Sequence, residues 1–233
     1  MHIPDGVLPV WLWVLGFFIM SLIMAFSLYR LRSMDMKMKI PLLGTLSAAM
    51  LVAMSLEIVP LAYHINLTVV TGILLGPALG FVAAFIANIM LALIGHGGIT
   101  VIGLNTLLLG AEAVLGHMFF SLLGNRLPLF WRAAVATVIT LLCTTGLLIG
   151  IVAVSNANPA AFMEAHEHEA AGHEGPISTG RFAAMALGLG ALGWVIEAAI
   201  TGSVVRFIAK VKPDLLRHVL HADTNSRKER QTP

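Results

Sequence analysis

Charge is what this sequence has least of. Asp, Glu, Lys and Arg make up 11% of its 233 residues, where a soluble globular chain carries about 25%. That excludes a water-facing coat. With 58% hydrophobic residues and a mean hydropathy of +0.90, the chain reads as a polytopic membrane protein. One compact bundle accounts for the length. Cysteine is nearly missing: Cys143 is the only one, which excludes an internal disulfide and a thiolate metal cluster. There is no Walker A sequence, no other Gly-rich phosphate loop and no nucleophile elbow, so the chain is not expected to hydrolyse ATP or to be an enzyme. Nothing in it suggests a nucleic-acid surface. No basic stretch precedes the first apolar run, so the first span is expected to be a retained helix rather than a cleaved signal.

What is present is a series of apolar runs, each near the roughly 20 residues that a span needs. They cover Leu8 to Tyr29, Pro41 to Ile58, Leu61 to Gly95, Gly103 to Leu123, Ala133 to Val154 and Phe182 to Ile208. The third is too long for one ordinary span, and Gly76-Pro77 divides it into a short helix and a second one. Charge placement fixes the count. With seven spans, Arg30, Arg32, Lys37 and Lys39 lie on the same side as Arg126 and Arg132. The tail residues Lys210, Lys212, Arg217, Arg227, Lys228 and Arg230 join them there. The positive-inside rule then predicts an all-α transmembrane bundle of about seven spans, N-terminus out and C-terminus in. Residues 1–210 form a single transmembrane domain with a polar outer loop at 155–180. Residues 211–233 form a basic cytoplasmic tail, expected to be disordered from Lys210.

This topology puts His2, His64, His96, His166, His168 and His173 on the outer side. The head of the chain, Met1-His2-Ile3-Pro4-Asp5-Gly6, carries a latent chelate. A free amine on Met1, the backbone nitrogen of His2 and its imidazole could close two fused rings around a small divalent metal. Ni(II) and Cu(II) favour that square-planar nitrogen set and promote loss of the amide proton. The fourth position must come from elsewhere. Pro4 and Gly6 force a turn that could fold the head back onto the first helix. The competing reading is a frayed terminus.

Other residues carry chemistry with less context. His64 precedes the third helix and could reach the head, or could hydrogen-bond backbone at a helix start. His96-Gly97-Gly98-Ile99-Thr100 has two glycines that let backbone approach closely, and Asn105 is placed to orient a ligand. His166, His168 and His173 alternate with acids in a polar tract that reads either as loose, exchangeable metal capture or as a solvated loop. Glu112, His117 and Glu197 are ionisable groups within spans and should face the bundle interior, as a proton relay or as buried structural groups. Ala184 with Gly188, and Ala186 with Gly190, have the spacing of close helix packing, either within the bundle or against a partner. Met20, Met24, Met34, Met36 and Met38 read as packing residues.

The head sequence, followed by Leu8-Pro9, resembles the start of the CbiM/NikM family, the substrate-capture membrane components of nickel and cobalt energy-coupling-factor transporters. His64, twelve residues before Gly76-Pro77, agrees, and His96-Gly97-Gly98-Ile99-Thr100 with Gly103 and Asn105 resembles the family's HGGxTxxGxN motif. The resemblance implies metal ligands at Met1, His2 and His64, with His96 and Asn105 around them. It implies Ni2+ or Co2+ as the transported substrate and no organic cofactor. It also implies partners: a transmembrane coupling protein, two cytoplasmic ATPase subunits and a small accessory membrane protein, in the inner membrane of a prokaryote. Two departures stand out. Pro60-Leu61-Ala62-Tyr63 replaces a Gly-Ser/Thr-rich run, and Leu107-Leu108-Leu109 replaces Phe-Asn/Ser-Met.

Two other classes compete. A stand-alone secondary divalent-metal transporter would run on Glu112, His117 and Glu197, but internal inverted repeats are missing. An intramembrane metalloenzyme would need converging His and Glu ligands, but no HExxH spacing lies within a span.

Overall fold

The computed structural model describes residues 3, 5–33, 36–37, 39–58, 63–155 and 179–216. Seven α-helices run through them: α1 (Val10–Leu31), α2 (Lys39–Ser55), α3 (Thr68–Leu75), α4 (Pro77–Leu93), α5 (Ile102–Leu123), α6 (Leu129–Ser155) and α7 (Thr179–Val211). The all-α membrane bundle expected from the apolar runs is what forms. Within the described residues, α1, α5, α6 and residues Gly180–Val211 of α7 are long and apolar enough to cross a membrane alone; α2 and α4 are shorter apolar helices.

The long third apolar run divides where Gly76-Pro77 stands. Gly76 takes φ 82°, closed to most side chains, and Pro77 opens α4 at its first turn, where a missing N–H costs nothing. The third helix is short, as expected before that break. It has eight residues, all buried, and rises only about 12 Å. Residues 64–67 continue it in extended or irregular form and add up to about 13 Å. Together they match the height of α4, whose 17 residues span about 25 Å. The second helix stops early. It was expected to reach Ile58, but it ends at Ser55, and β1 (Glu57–Ile58) pairs antiparallel with β2 (Tyr63–His64), with Glu57 opposite His64. Backbone pairing between the two segments satisfies groups that a helix would otherwise have satisfied internally.

α5 is the central helix, packed by α1, α3, α4 and α6, while α7 lies along α6. Glycines set the closest crossings. A Cβ on Gly72 of α3 would stand 2.6 Å from the carbonyl carbon of Ala113 on α5. One on Gly103 of α5 would stand 2.7 Å from the carbonyl carbon of Gly16 on α1. Of the small pairs on the last helix, Ala186 is buried. Ala184 and Gly188 are exposed, and the nearest neighbour of Gly190 is Trp194 of its own helix. Of the described methionines, Met20 is buried, and Met36 packs beside the α2–α4 core.

Two basic regions sit differently from their sequence reading. Arg132, expected in an inner loop, is on α6 and buried; its Nε–H donates to the Phe120 carbonyl at 2.6 Å, and its guanidinium lies 4.1 Å from the Phe120 ring centre. The tail, expected to be free from Lys210, stays packed through a 3-10 turn (Pro213–Leu216), and Leu216 is buried with Val69, Ile73 and Val205. An apolar side chain five residues beyond the last helix can still reach the core, which a charge count does not reveal.

The crossing glycines generate a test. Gly72→Ala should lose about 1–3 kcal/mol through overpacking against backbone that cannot move aside. Gly146, with nothing within 4 Å of its would-be Cβ, should accept alanine neutrally or gain up to about 1 kcal/mol. Thermal unfolding in detergent measures both, and equal behaviour would contradict the assigned crossing.

Candidate metal centre

The head of the chain is held at two points. Ile3 is fully buried among Leu8, Leu12, Leu104 and Leu108. Its N–H donates to Asn105 Oδ1 at 2.8 Å, and Asn105 Nδ2 donates back to the Ile3 carbonyl at 3.0 Å. A primary amide offers one donor and one acceptor side by side, so a single side chain satisfies both backbone groups of the residue, as a neighbouring strand would. Asn105 lies in the first turn of α5 and is itself buried. The second point is Asp5. Its Oδ2 accepts the Ile99 N–H at 2.9 Å, and its Oδ1 accepts the Thr100 N–H at 2.8 Å and the Thr100 hydroxyl at 2.5 Å. Gly98 makes room, since a Cβ there would lie 2.7 Å from the Asp5 nitrogen. Partial burial pushes the Asp5 carboxyl up, but the bonds from the Thr100 hydroxyl, Thr100 N–H and Ile99 N–H outweigh it and hold it below the ordinary value.

His96 owes its position to the way α4 ends. Gly95 takes φ 82° and donates to the Ala92 carbonyl at 3.1 Å, and the His96 N–H donates to the Leu91 carbonyl at 2.9 Å. This is a Schellman cap with glycine in the left-handed position and His96 next along. His64 arrives from the other side, at the end of β2. The two half-buried imidazoles meet with ring centres 4.8 Å apart and planes inclined by 69°.

Asn66, two residues after His64, anchors the irregular segment. Its N–H donates to Glu197 Oε1 on α7 at 3.1 Å, and its Nδ2 donates to Glu112 Oε2 on α5 in a short bond. Its Oδ1 accepts the Thr68 N–H at 2.9 Å and also the Thr68 hydroxyl, at the first residue of α3. The Thr144 hydroxyl on α6 reaches Glu112 Oε1 at 3.4 Å. Thus Glu112 and Glu197 meet at one asparagine, and His117 hydrogen-bonds the Gly72 backbone where α3 and α5 cross.

Of the residues expected to matter, His64, His96 and Asn105 come to the same end of the bundle as Ile3 and Asp5. Met1, His2, His166, His168, His173, Pro60, Leu61, Ala62, Met34, Met38 and the tail arginines and lysine at 217, 227, 228 and 230 lie outside the described residues. Among the described residues no three His, Cys, Asp or Glu side chains cluster as a metal site. Sequence reading missed the functions of Asp5, Asn66 and Thr144. The Asp5 signal was present, since an acid beside Gly6 and opposite a Gly-Gly motif suits a bond to a loop.

Residues 2–215 match the family described as the cobalt uptake substrate-specific transmembrane region, CbiM. No match to a curated protein was found. Two solved structures share the fold. A truncated transition metal transporter aligns with a TM-score of 0.74 at 20% identity, covering 90% of this chain and 99% of that one. A transition metal transporter aligns with a TM-score of 0.71 at 23% identity, covering 91% and 93%.

The two attachments of the head predict separate behaviours. Asn105→Leu leaves the buried N–H and C=O of Ile3 without partners, at about 1–3 kcal/mol for each group. Amide exchange of residues 3–6 should accelerate at least about tenfold while the helices stay protected; unchanged exchange would show that the clamp holds nothing. For Asp5 the folded value is lowered, so its contribution is present above the ordinary value of 3.8 and is lost as pH falls through the lowered one. The Asp5 bonds to Ile99 and Thr100 should therefore persist from about pH 8 to about pH 5 and open only in stronger acid. Asp5→Asn, which turns an NH2 against one of these donors, should open them at every pH.

Proposed function

Because this chain belongs to the CbiM family of cobalt-uptake substrate-specific transmembrane regions, we propose that it is the metal-binding component of an ATP-driven energy-coupling-factor importer for Ni2+ or Co2+. The observation that carries the reading is the convergence of a clamped chain head with the His64–His96 pair at one end of the bundle. Residues 1 and 2 continue directly from the clamped Ile3. The terminal amine of Met1 and the backbone and imidazole nitrogens of His2 supply three donors, and His64 supplies the fourth. Four nitrogen donors suit square-planar divalent ions. Asn105 fixes where the head sits, and Asn66 fixes where the His64 segment sits.

With the N-terminus outside, this end of the bundle faces outward and the metal is captured before it crosses. The chain performs no catalysis. A coupling membrane protein and two ATPase subunits, with a small accessory membrane protein, drive release on the inner side of a prokaryotic cytoplasmic membrane. His166, His168 and His173 raise the local metal concentration without forming the tight site. Glu112 and Glu197 bind Asn66 from two helices, which fits anchoring better than the proton path of a secondary transporter.

Calorimetric titration of Ni(II) and Co(II) tests the ligand set. One extra residue before Met1 replaces the amine with an ordinary amide and should weaken binding by more than about 100-fold, whereas a C-terminal tag should have no effect. His64→Ala should abolish stoichiometric binding, and joint loss of His166, His168 and His173 should leave the tight site intact. Binding should fall in acid, because amine and imidazole must be unprotonated and an amide proton is displaced. An extended form that binds as tightly as the native one would remove Met1 from the site.

A further inference from the structure

The end of the bundle away from the chain head is rich in cations. Arg206 and Lys210, one turn apart on α7, are exposed there, and Asp214 is the one acid at that end among the described residues. We propose that the lipid-facing seam between α6 and α7 binds one anionic phospholipid, with its phosphate against Arg206 and Lys210 and an acyl chain lying in the seam. This site is separate from the metal centre and lies at the opposite end of the bundle.

Two exposed stripes border the seam. On α7, Val195, Ala199, Gly202 and Arg206 follow one another at helical spacing and share one face. Gly202 meets α6, since a Cβ there would lie 2.8 Å from Phe130 Cδ2. The other three members of the stripe are exposed. On α6, Trp131, Val138 and Leu142 share a face and are exposed. Ala134, Leu141 and Thr145, each one turn further along, are buried, so this stripe edges the packed side of α6. The other flank of α6 packs on α5, and the other flank of α7 turns Glu197 and Val205 into the core. The two stripes therefore flank the same open seam.

The seam has the height and the chemistry of one lipid. From Trp131 to Leu142 α6 rises about 16 Å, close to half of a hydrocarbon core roughly 30 Å thick. Val138, Leu142, Val195 and Ala199 offer only carbon to an acyl chain. At the charged end, Trp131 packs edge-on to Phe130 with ring centres 5.2 Å apart, which holds an indole where tryptophan sits at a membrane–water boundary. Arg206 and Lys210 stand one and two turns beyond the Gly202–Phe130 contact, and their long stems carry the charges to headgroup height. A zwitterionic headgroup would bring its own ammonium against these cations, and free phosphate would leave the apolar seam bare. An anionic diester with acyl chains complements both parts. Each basic residue beside an anionic headgroup is worth roughly a fivefold gain, so the pair gives a preference of roughly 30-fold.

Native mass spectrometry of the full-length chain in detergent, titrated with phosphatidylglycerol and with phosphatidylcholine of the same acyl chains, counts the bound lipid. The native form should retain one phosphatidylglycerol with a preference of roughly 30-fold. Joint Arg206→Gln and Lys210→Gln should reduce that preference to less than about threefold. Joint Arg32→Gln and Lys39→Gln, which removes two cations from the α1–α2 side of the same end, should leave it unchanged. Phosphatidylglycerol should raise the unfolding temperature of the native form and not that of the Arg206 and Lys210 double variant, and without lipid the two should unfold at the same temperature. If both double variants lose preference equally, the attraction is diffuse charge and there is no site. If glycerol phosphate, which has no acyl chains, protects against unfolding as well as the lipid does, the seam plays no part. If the Arg206 and Lys210 double variant keeps its lipid preference but no longer co-purifies with the coupling membrane protein, the face is a protein interface. Each of these three results overturns the assignment.

Discussion

Two hydrogen bonds between the Asn105 amide and the backbone of Ile3 are what the placement of the chain head depends on. A chain end ordinarily frays, because ordering each residue costs about 1–2 kcal/mol of backbone entropy. Here one buried side chain meets both backbone groups of Ile3, and the apolar contacts of Ile3 with Leu8, Leu12 and Leu104 add burial worth about 1.5–3 kcal/mol. Asp5 then ties the next turn of the head to the loop after α4. Ile3 and Asp5 thus fix the head against α5 and against the loop after α4.

A second constraint comes from placing non-helical backbone inside a membrane bundle. In lipid, unpaired N–H and C=O groups cost several kcal/mol each, so irregular backbone survives only where protein satisfies it. The segment before α3 meets that condition through Asn66, which draws on Glu197 from α7 and Glu112 from α5 and also accepts the Thr68 N–H. The two intramembrane acids thus have a physical reason to exist that needs no proton flow. Helix α3 can be short because its upper half is replaced by this supported segment, and that is what brings His64 inward to face His96.

Much of the fold was legible in the sequence, and the reasons are specific. Spans showed because lipid leaves few charges, and the Gly76-Pro77 break showed because each residue has its own backbone restriction. His64, His96 and Asn105 stood out as polar residues beside glycine or at span ends, and the structure gathers them at one end. What stayed hidden were contacts between distant residues. Asn66 meets partners 46 and 131 positions away, and Asp5 meets loop residues 94 and 95 positions away. No local pattern encodes such distances. Small-residue spacing left its partner open for a related reason: Ala184–Gly188 shows the four-residue spacing of tight crossings and is exposed, whereas Gly72 meets Ala113 within the bundle. Spacing says which residues share a helix face, and only packing says what that face meets.

The two imidazoles at the centre are supported by different means, and that difference matters for how the site can change. His96 is placed by backbone: the glycine-terminated cap of α4 fixes it whatever its side chain is. His64 is placed by the pairing of β2 with β1 and by Asn66, which meets the two carboxylates. A change in α5 or α7 that disturbs Glu112 or Glu197 therefore moves one ring and leaves the other in place. The separation between the rings is then a quantity that the bundle can alter, because the two rings are carried by different elements. A relative shift of α5 and α7 would act on His64 through Asn66 in the irregular segment before α3, while the cap of α4 keeps His96 fixed to its own helix.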